Sequence, residues 1–149
     1  MKTYYQTIKE YAKDFVDEYK DEIIEIVNDL SDKGYEIEEI INYLYDEYYL
    51  DDKIIEYLDN YWYGFLRSEF CDDCKTELSS AIKIIEESEN EETDDSLWDG
   101  MSPEDAVLTK AFWTTRNDLA IEVKRLVETL VEEEVYNREK EEEEEEIEE

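Results

Sequence analysis

The first apolar-periodic segment of the chain carries a row of carboxylates. Its members are Glu10, Asp14, Asp17, Asp21 and Glu25, which recur at spacings of three and four residues. In an α-helix this spacing places all five on one face, along about 22 Å at a rise of about 1.5 Å per residue. Carboxylates in such a row can bind cations, transfer protons or present a surface of negative charge. The composition of the chain favours the last of these.

The whole chain is intensely acidic. It has 47 Asp and Glu residues against 15 Lys and Arg, a formal net charge of −32 at pH 7. This charge matches the phosphates of about 54 Å of duplex DNA, whereas about 2 to 8 units suffice to keep a small domain soluble. Residues 132–149 contribute −10, which leaves −22 on residues 1–131. The charge therefore belongs to the foldable part, and we expect basic protein partners and no direct contact with nucleic acid or membrane.

Further acidic residues extend the row toward a surface. They are Asp46, Glu47, Asp51, Asp52, Glu56, Asp59, Asp72 and Asp73. One helical row has about one third of the charge density of a DNA duplex, so three neighbouring rows would approach that density. Outward helix faces are ordinarily charged, but with mixed signs, and here acids outnumber bases about three to one. We interpret these carboxylates as phosphate-mimicking, partner-binding residues.

Enzymatic chemistry has little support in the sequence. The chain has no His, no phosphate-binding Gly-rich loop and no nucleophile motif, and no carboxylate pair stands out among so many. Cys71 and Cys74 form a CxxC, but a structural zinc site needs four ligands. Two ordinary thiols are the favoured interpretation, and a four-thiolate site shared across a dimer is the alternative. We expect no catalytic residue, no metal and no cofactor.

Tyrosine is concentrated in one region, next to Trp62. The residues concerned are Tyr43, Tyr45, Tyr48, Tyr49, Tyr57, Tyr61 and Tyr63. An aromatic core with hydroxyl groups at its rim is the favoured explanation. The alternative is an interface patch in which tyrosines and carboxylates together receive arginine side chains of a partner.

Apolar residues recur with helical period along most of the chain. The first stripe comprises Ile8, Ala12, Phe15, Tyr19, Ile23, Ile26 and Leu30, and Gly34 can end that helix in a left-handed conformation. Ile37, Ile40, Ile41, Leu44 and Tyr48 mark a second helix. Asp51 and Asp52 offer an acidic N-cap for a third helix through Ile54, Leu58 and Phe65. Leu78, Ala81, Ile82 and Ile85 continue the spacing as a separate helix or an extension.

The clearest helix start is Ser102, an N-cap followed by Pro103 and two acidic residues. This last helix should run to about residue 138, a length of about 54 Å. Its apolar seam comprises Leu119, Val123, Leu126 and Leu130. Such a long helix often packs against a partner. The seam can therefore serve a homodimer or cover the first three helices of its own chain, and both interpretations stay open.

Together these patterns predict an all-α bundle of about five helices with a long C-terminal helix and a disordered acidic tail. Residues 1–138 would form one acidic domain with an internal acidic loop over about 86–101, and residues 139–149 a disordered poly-Glu tail. No apolar stretch reaches the length of a membrane span and no signal peptide is evident. With only two Cys, we expect a cytoplasmic protein, in the host cytoplasm if it is phage-encoded.

The chain resembles the phage Ocr-type antirestriction proteins. The resemblance lies in the acidic, all-helical composition, the acidic N-terminal helices, and a last helix running through Val131-Glu132-Glu133-Glu134-Val135-Tyr136 into poly-Glu. It includes no alignable motif, so no site residue is carried over, and the Tyr-rich centre has no counterpart. The resemblance implies a dimeric DNA mimic directed at type I restriction enzymes or the BREX system. Some acidic anti-CRISPR proteins are similar in blocking the DNA channel of a Cas effector.

The expected function is therefore that of a non-enzymatic inhibitor that occupies the DNA-binding channel of a bacterial defence nuclease or complex. The alternative is an acidic chaperone or an antitoxin that binds a basic protein. Rigid helices favour the mimic, since it must hold its charges at fixed spacing, whereas acidic chaperones often use flexible tails.

Self-repulsion at this charge predicts that salt stabilises the fold. Between low and moderate NaCl the melting temperature should rise, because ions screen repulsion among the carboxylates. Thermal unfolding followed by far-UV circular dichroism measures this change. A melting temperature that falls over the same range would contradict it.

Overall fold

The computed structural model describes residues 3–67, 76–88, 100 and 102–147, with side chains as far as Lys140. These residues form five α-helices and no strand: α1 (Tyr4–Asp32), α2 (Ile37–Asp46), α3 (Leu50–Leu66), α4 (Glu77–Glu87) and α5 (Pro103–Ile147). The predicted all-α fold with a long C-terminal helix is confirmed.

Both ends of α1 are capped by local hydrogen bonds. Thr3 and Gln6 form a reciprocal capping box: the Thr3 hydroxyl accepts from the Gln6 N–H, and the Gln6 side chain accepts from the Thr3 N–H. At the other end Gly34 takes φ +88°, and the Tyr35 N–H donates to the Leu30 carbonyl at 3.0 Å. This is a Schellman termination, which needs the left-handed residue that glycine supplies without strain. The predicted stop at Gly34 is correct.

The junction between α2 and α3 differs from the prediction. Asp51 and Asp52 are not N-caps, because α3 begins one residue earlier, at Leu50, and both acids lie in its first turn. The capping position is Tyr49, whose φ of 59° is left-handed, a conformation uncommon for a bulky residue. The two acids still stabilise the start of α3, since its N-terminal dipole end is positive.

Helix α4 is a separate helix with a Thr76 N-cap. Its buried face includes Ala81 and Ile84, whereas Ile82 is 43 % exposed, so the predicted apolar set was off by part of a turn. The acidic loop predicted from residue 86 begins later, because Glu86 and Glu87 complete the last turn of α4. Residues 89–99 of that loop lie outside the described residues.

Helix α5 begins as predicted, with the Ser102 hydroxyl accepting from the Asp105 N–H at 3.2 Å. It continues to Ile147, beyond the end predicted near residue 138 and through most of the segment predicted to be disordered. Glu is a good helix former and neither Gly nor Pro interrupts this stretch. Disorder of residues 139–149 in solution stays a prediction.

Helix α5 is the centre of the bundle. It contacts each of the other four helices, most extensively α1 and α4. A buried row follows every fourth residue of α5, with five apolar side chains and one threonine: Ala111, Thr115, Leu119, Val123, Val127 and Val131. A step of four residues turns about 40° beyond a full helical turn, so this row winds around α5 and meets different neighbours along its length.

The apolar seam is packed within the chain. Leu119 and Val123 are buried by the other helices, and Leu126 and Leu130 are partly buried against the same core. A homodimer through this seam would require Leu119 and Val123 to leave the core. The intramolecular interpretation is therefore the one that agrees with the packing, and the homodimer has no structural support.

One buried carboxylate joins three helices. Asp118 of α5 accepts hydrogen bonds from the Tyr4 hydroxyl of α1 at 2.7 Å and from the Ser88 hydroxyl, which follows α4, at 2.8 Å. A buried charge is costly unless it is hydrogen-bonded, and these donors satisfy it. Burial raises the pKa of Tyr4, and Asp118 raises it further. Tyr4 therefore stays protonated and keeps donating.

No helix in the described ranges has an apolar stretch long enough to cross a lipid bilayer.

The packing of α5 predicts a large difference between two neighbouring aliphatic positions. Leu119→Ala should lower the free energy of unfolding by about 2 to 5 kcal/mol, because it leaves a cavity in the core. Ile121→Ala, at a side chain that is 60 % exposed, should change it by less than about 0.5 kcal/mol. Urea unfolding measures both, and equal effects would refute the assigned orientation of α5.

Candidate protein-binding surface

The predicted carboxylate row lies on the solvent face of α1. Glu10, Asp14, Asp17, Asp21 and Glu25 are all exposed, opposite the buried stripe that contains Ile8, Phe15 and Ile23. Within the described residues, Asp14, Asp17, Asp21 and Glu25 take part in no salt bridge. The charges of these four carboxylates are therefore available to a partner.

The two flanks of this row carry opposite charges. Lys9, Lys13 and Lys20, spaced by four and seven residues, share one flank of α1. Glu18 and Glu22 lie on the other flank, which faces α3. We call the carboxylate row and this flank, from Glu10 to Glu25, the α1 acidic face. It holds seven carboxylates along about 22 Å, or one per roughly 3 Å of helix axis.

Aromatic side chains fill the space between α1 and α3. Tyr11 lies 6.4 Å and Phe15 lies 5.4 Å from Tyr57, and Tyr57 lies 4.7 Å from Tyr61, measured between ring centroids. Tyr57 is buried, whereas Tyr61 is 50 % exposed. The rings thus pass from the core to the surface beside the α1 acidic face. We call Tyr11, Tyr19, Tyr48, Tyr57 and Tyr61 the tyrosine strip.

Carboxylates surround the tyrosine strip. The Tyr48 hydroxyl donates to Glu22. Burial raises the pKa of Tyr57, and Asp14 and Glu18 add to that rise. Burial likewise raises the pKa of Tyr19, with Glu18, Glu56 and Glu22 as further causes. Glu56 of α3 therefore approaches the α1 acidic face across the strip.

One tyrosine of the strip already contacts a cation of this chain. The Lys53 ammonium lies 4.2 Å from the centre of the Tyr48 ring and donates to the Tyr48 carbonyl at 2.8 Å. Tyr48 thus holds a cation on its ring and a carboxylate at its hydroxyl. Cation–π contact of this kind is the interaction that an incoming arginine or lysine could make with an exposed ring.

The predicted tyrosine cluster does not form one patch. Tyr48, Tyr57 and Tyr61 belong to the strip, whereas Tyr45 lies on the other side of α2, toward α5. Tyr43, Tyr49 and Tyr63 are exposed. Sequence reasoning missed the contribution of Tyr11, although its spacing of four from Phe15 places both residues on the same side of α1.

The other predicted site residues divide into three groups. Asp52, Glu56 and Asp59 are exposed along α3, and Asp46 and Glu47 are exposed at the end of α2, where the negative dipole end adds to their charge. Asp51 does not belong to the acidic surface, because Arg116 lies 3.5 Å from it and compensates its charge. Asp72, Asp73 and the CxxC lie outside the described residues.

Charge is distributed unevenly over the bundle. Helix α1 has nine acidic and three basic residues, whereas residues 103–140 of α5 have nine acidic and six basic. Three of those cations pair with carboxylates, namely Arg116 with Asp51, Arg125 with Glu122 and Arg138 with Asp32. Over these ranges the formal net charge is therefore −6 on α1 and −3 on residues 103–140 of α5.

The carboxylates are spread along helices and do not converge. In the part of the chain that the structure describes, no three Asp, Glu or Cys residues are placed to hold a metal ion. Their arrangement suits an extended polar contact with a charged partner.

Comparison with models of protein families, with curated proteins and with solved structures finds no match for this chain.

Raised tyrosine pKa values predict a loss of stability in alkali. Burial and Glu22 raise the pKa of Tyr48 above its ordinary value of 10, and burial raises that of Tyr57. Above about pH 10 the unfolded chain loses these protons while the folded chain retains them. The contribution to stability is therefore complete below pH 10 and declines as the pH rises above it.

Urea unfolding at increasing pH, from neutral to strongly alkaline, measures this decline. Tyr48→Phe and Tyr57→Phe should make it shallower, whereas Tyr63→Phe, at a side chain that is 62 % exposed, should not. An equal slope in all three variants would refute the role of the strip tyrosines.

Proposed function

We propose that this protein is a DNA-mimic inhibitor that occupies the DNA-binding channel of a bacterial defence nuclease or complex, such as a type I restriction enzyme, a BREX complex or a CRISPR–Cas effector. The observation that carries the proposal is the α1 acidic face. Its seven carboxylates lie about 3 Å apart along the helix axis, which is close to the one phosphate per 3.4 Å of a single DNA strand.

Rigidity supports the mimic over a diffuse acidic partner. The α1 acidic face lies on a helix that is capped at both ends and buried along its opposite side. Carboxylates held in this way need little ordering on binding, so less conformational entropy is lost when they meet Lys and Arg of a channel. The exposed edge of the tyrosine strip adds stacking surface for arginine.

The charge distribution also indicates which side of the bundle would face a basic partner. The lysines of α1 lie on one flank only, and Arg116, Arg125 and Arg138 of α5 pair with carboxylates of the chain. A basic channel would therefore be attracted to the side formed by α1 and α3, and its long-range attraction would orient the protein before contact.

An acidic chaperone or antitoxin is the alternative function. The continuous glutamates of residues 141–146 favour it, because they extend the charge along α5 away from the α1 acidic face. In that case binding would depend on total charge and not on where the charge is held.

Two variants with equal change of charge separate these functions. The first replaces Glu10, Asp14, Asp17, Asp21 and Glu25 by Gln or Asn, and the second replaces Glu141 to Glu145 by Gln. Fluorescence anisotropy of a labelled DNA duplex on a type I restriction enzyme, and separately on a Cas effector, measures competition. Cytochrome c, a basic protein without a DNA channel, tests attraction by charge alone.

For a DNA mimic, the native chain should displace the duplex from its target, and DNA and protein should exclude each other. The α1 variant should bind more weakly. The slope of log affinity against log salt concentration should become shallower by about one unit for each contacting carboxylate. The tail variant should retain most of the competition.

Circular dichroism of both variants tests whether they keep their helicity. Equal loss in both variants, or equally tight binding to cytochrome c, would favour the chaperone, and simultaneous binding of DNA and protein would refute mimicry.

A further inference from the structure

A cavity of about 540 Å³ lies between α2 and α5, and no residue of the tyrosine strip lines it. It is bounded by α2, by Asp51 at the start of α3, and by the middle of α5. Its volume is within the range of small-molecule sites, about 300 to 1,000 Å³. None of its lining residues belongs to the α1 acidic face.

The residues that line this cavity carry more positive than negative charge, opposite to the chain as a whole. Arg116 and Lys124 line it from α5, eight residues apart, and so lie on one side of that helix about two turns from each other. Asp51 is the one acidic side chain among the lining residues, and Asn42 and Asn117 add two amides. In a chain of −32, a cavity with two cations and one carboxylate is a local inversion of the charge.

Not every N–H donor of the Arg116 guanidinium has a hydrogen-bond acceptor among the described residues. One terminal nitrogen donates to the Asn117 side-chain oxygen at 3.2 Å, and another lies 3.5 Å from Asp51. The Nε atom is buried without a hydrogen-bond partner among the described residues. Since a guanidinium has five N–H donors and an unpaired buried donor is costly, Arg116 retains capacity for a further acceptor.

Tyr45 presents a second unsatisfied donor at this cavity. Its hydroxyl is likewise buried without a partner in the described ranges. Burial raises its pKa to about 12, with Asp51 and Glu128 adding to the rise and Arg116 opposing it. The hydroxyl is therefore protonated at neutral pH, and it can donate to an anion once the side chains that cover it move aside.

Apolar side chains complete the cavity. Ile41 of α2 and Ala120 and Ile121 of α5 line it. Cations and neutral donors beside an apolar wall match a ligand with one anionic group on a compact apolar body.

We infer that this cavity binds a small organic anion, a carboxylate or a phosphate ester, held by Arg116, Lys124 and the Tyr45 hydroxyl with its apolar part against Ile41 and Ile121. Asp51 opposes the anion by like-charge repulsion and by engaging Arg116, so it limits the affinity. This site is independent of the proposed DNA mimicry, because it uses neither the carboxylates nor the tyrosines of that surface.

The probes are phenyl phosphate and benzoate, with inorganic phosphate and benzyl alcohol as their separate anionic and apolar parts. Two-dimensional ¹H–¹⁵N NMR of the full chain measures binding, including the side-chain amide signals of Asn42 and Asn117. Phenyl phosphate or benzoate should shift those amides and the backbone signals of α2 and the middle of α5. Inorganic phosphate and benzyl alcohol should each bind at least about tenfold more weakly than the intact organic anions, since each lacks one class of contact.

Variants test the assigned residues. Lys124→Gln should weaken binding about tenfold, as expected for loss of a hydrogen bond to a charged group. Arg125→Gln is the matched control, because Arg125 pairs with Glu122, is no part of the cavity lining, and should leave the affinity unchanged. Asp51→Asn should strengthen binding, because it removes the opposing charge and releases Arg116.

The gain in Asp51→Asn distinguishes a binding site from a merely structural Arg116–Asp51 pair, which would predict no change in affinity for the probe. Absence of localised shifts with both organic anions at millimolar concentration would overturn the inference. Shifts that are equal in Lys124→Gln and Arg125→Gln would also overturn it, as would weaker binding by Asp51→Asn. The chain's competition with DNA is expected to be the same in all three variants, so failure here and failure of the mimicry are distinguishable.

Discussion

The packing of α5 against every other helix is the interaction on which the rest of the structure depends. A chain of −32 repels itself, so the compact state needs a continuous apolar contact to offset that repulsion. The row from Ala111 to Val131 supplies it. Because this row winds around α5, one helix can bury the apolar faces of α1 and α4 at once and can also reach α2 and α3. The outward faces of the first three helices can then carry charge without interrupting this apolar contact.

The same helix also determines where charge is compensated. Arg116 reaches Asp51, and Arg138 reaches Asp32 at the end of α1, where an acidic residue would otherwise meet the negative end of the helix dipole. Asp118 is the one acidic residue in the buried polar set of the described residues, and it is held by hydroxyl groups. Arg116 and Arg138 thus compensate carboxylates that lie near α5, whereas Asp14, Asp17, Asp21 and Glu25 on the solvent face of α1 take part in no salt bridge within the described residues. This difference gives the bundle an acidic side and, around the cavity, a side where cations prevail.

Tyrosine has two roles that follow from its apolar ring and polar end. In the strip, the rings fill the wide space between α1 and α3, and their hydroxyl groups approach carboxylates such as Glu22. At the cavity, burial raises the pKa of the Tyr45 hydroxyl, with Asp51 and Glu128 adding to the rise and Arg116 opposing it. The proposed mimicry draws on the first role and the proposed anion site on the second. Under these two proposals, a single residue type would serve a surface for cations and a cavity for anions, because its neighbours differ.

The sequence by itself determined the all-α class, the stop at Gly34, the start at Ser102 and the exposed row from Glu10 to Glu25. Each of these depends on residues within a few turns of one another, so spacing and local capping chemistry suffice to predict them. It could not determine that the α5 seam covers its own chain, that Asp51 is compensated by Arg116, or that Tyr4 donates to Asp118, 114 residues away. It also misplaced the buried face of α4. Those features depend on which helix lies opposite and how it is rotated about its axis. Only tertiary packing decides this, because an amphipathic helix must bury its apolar face but does not specify which element will cover it.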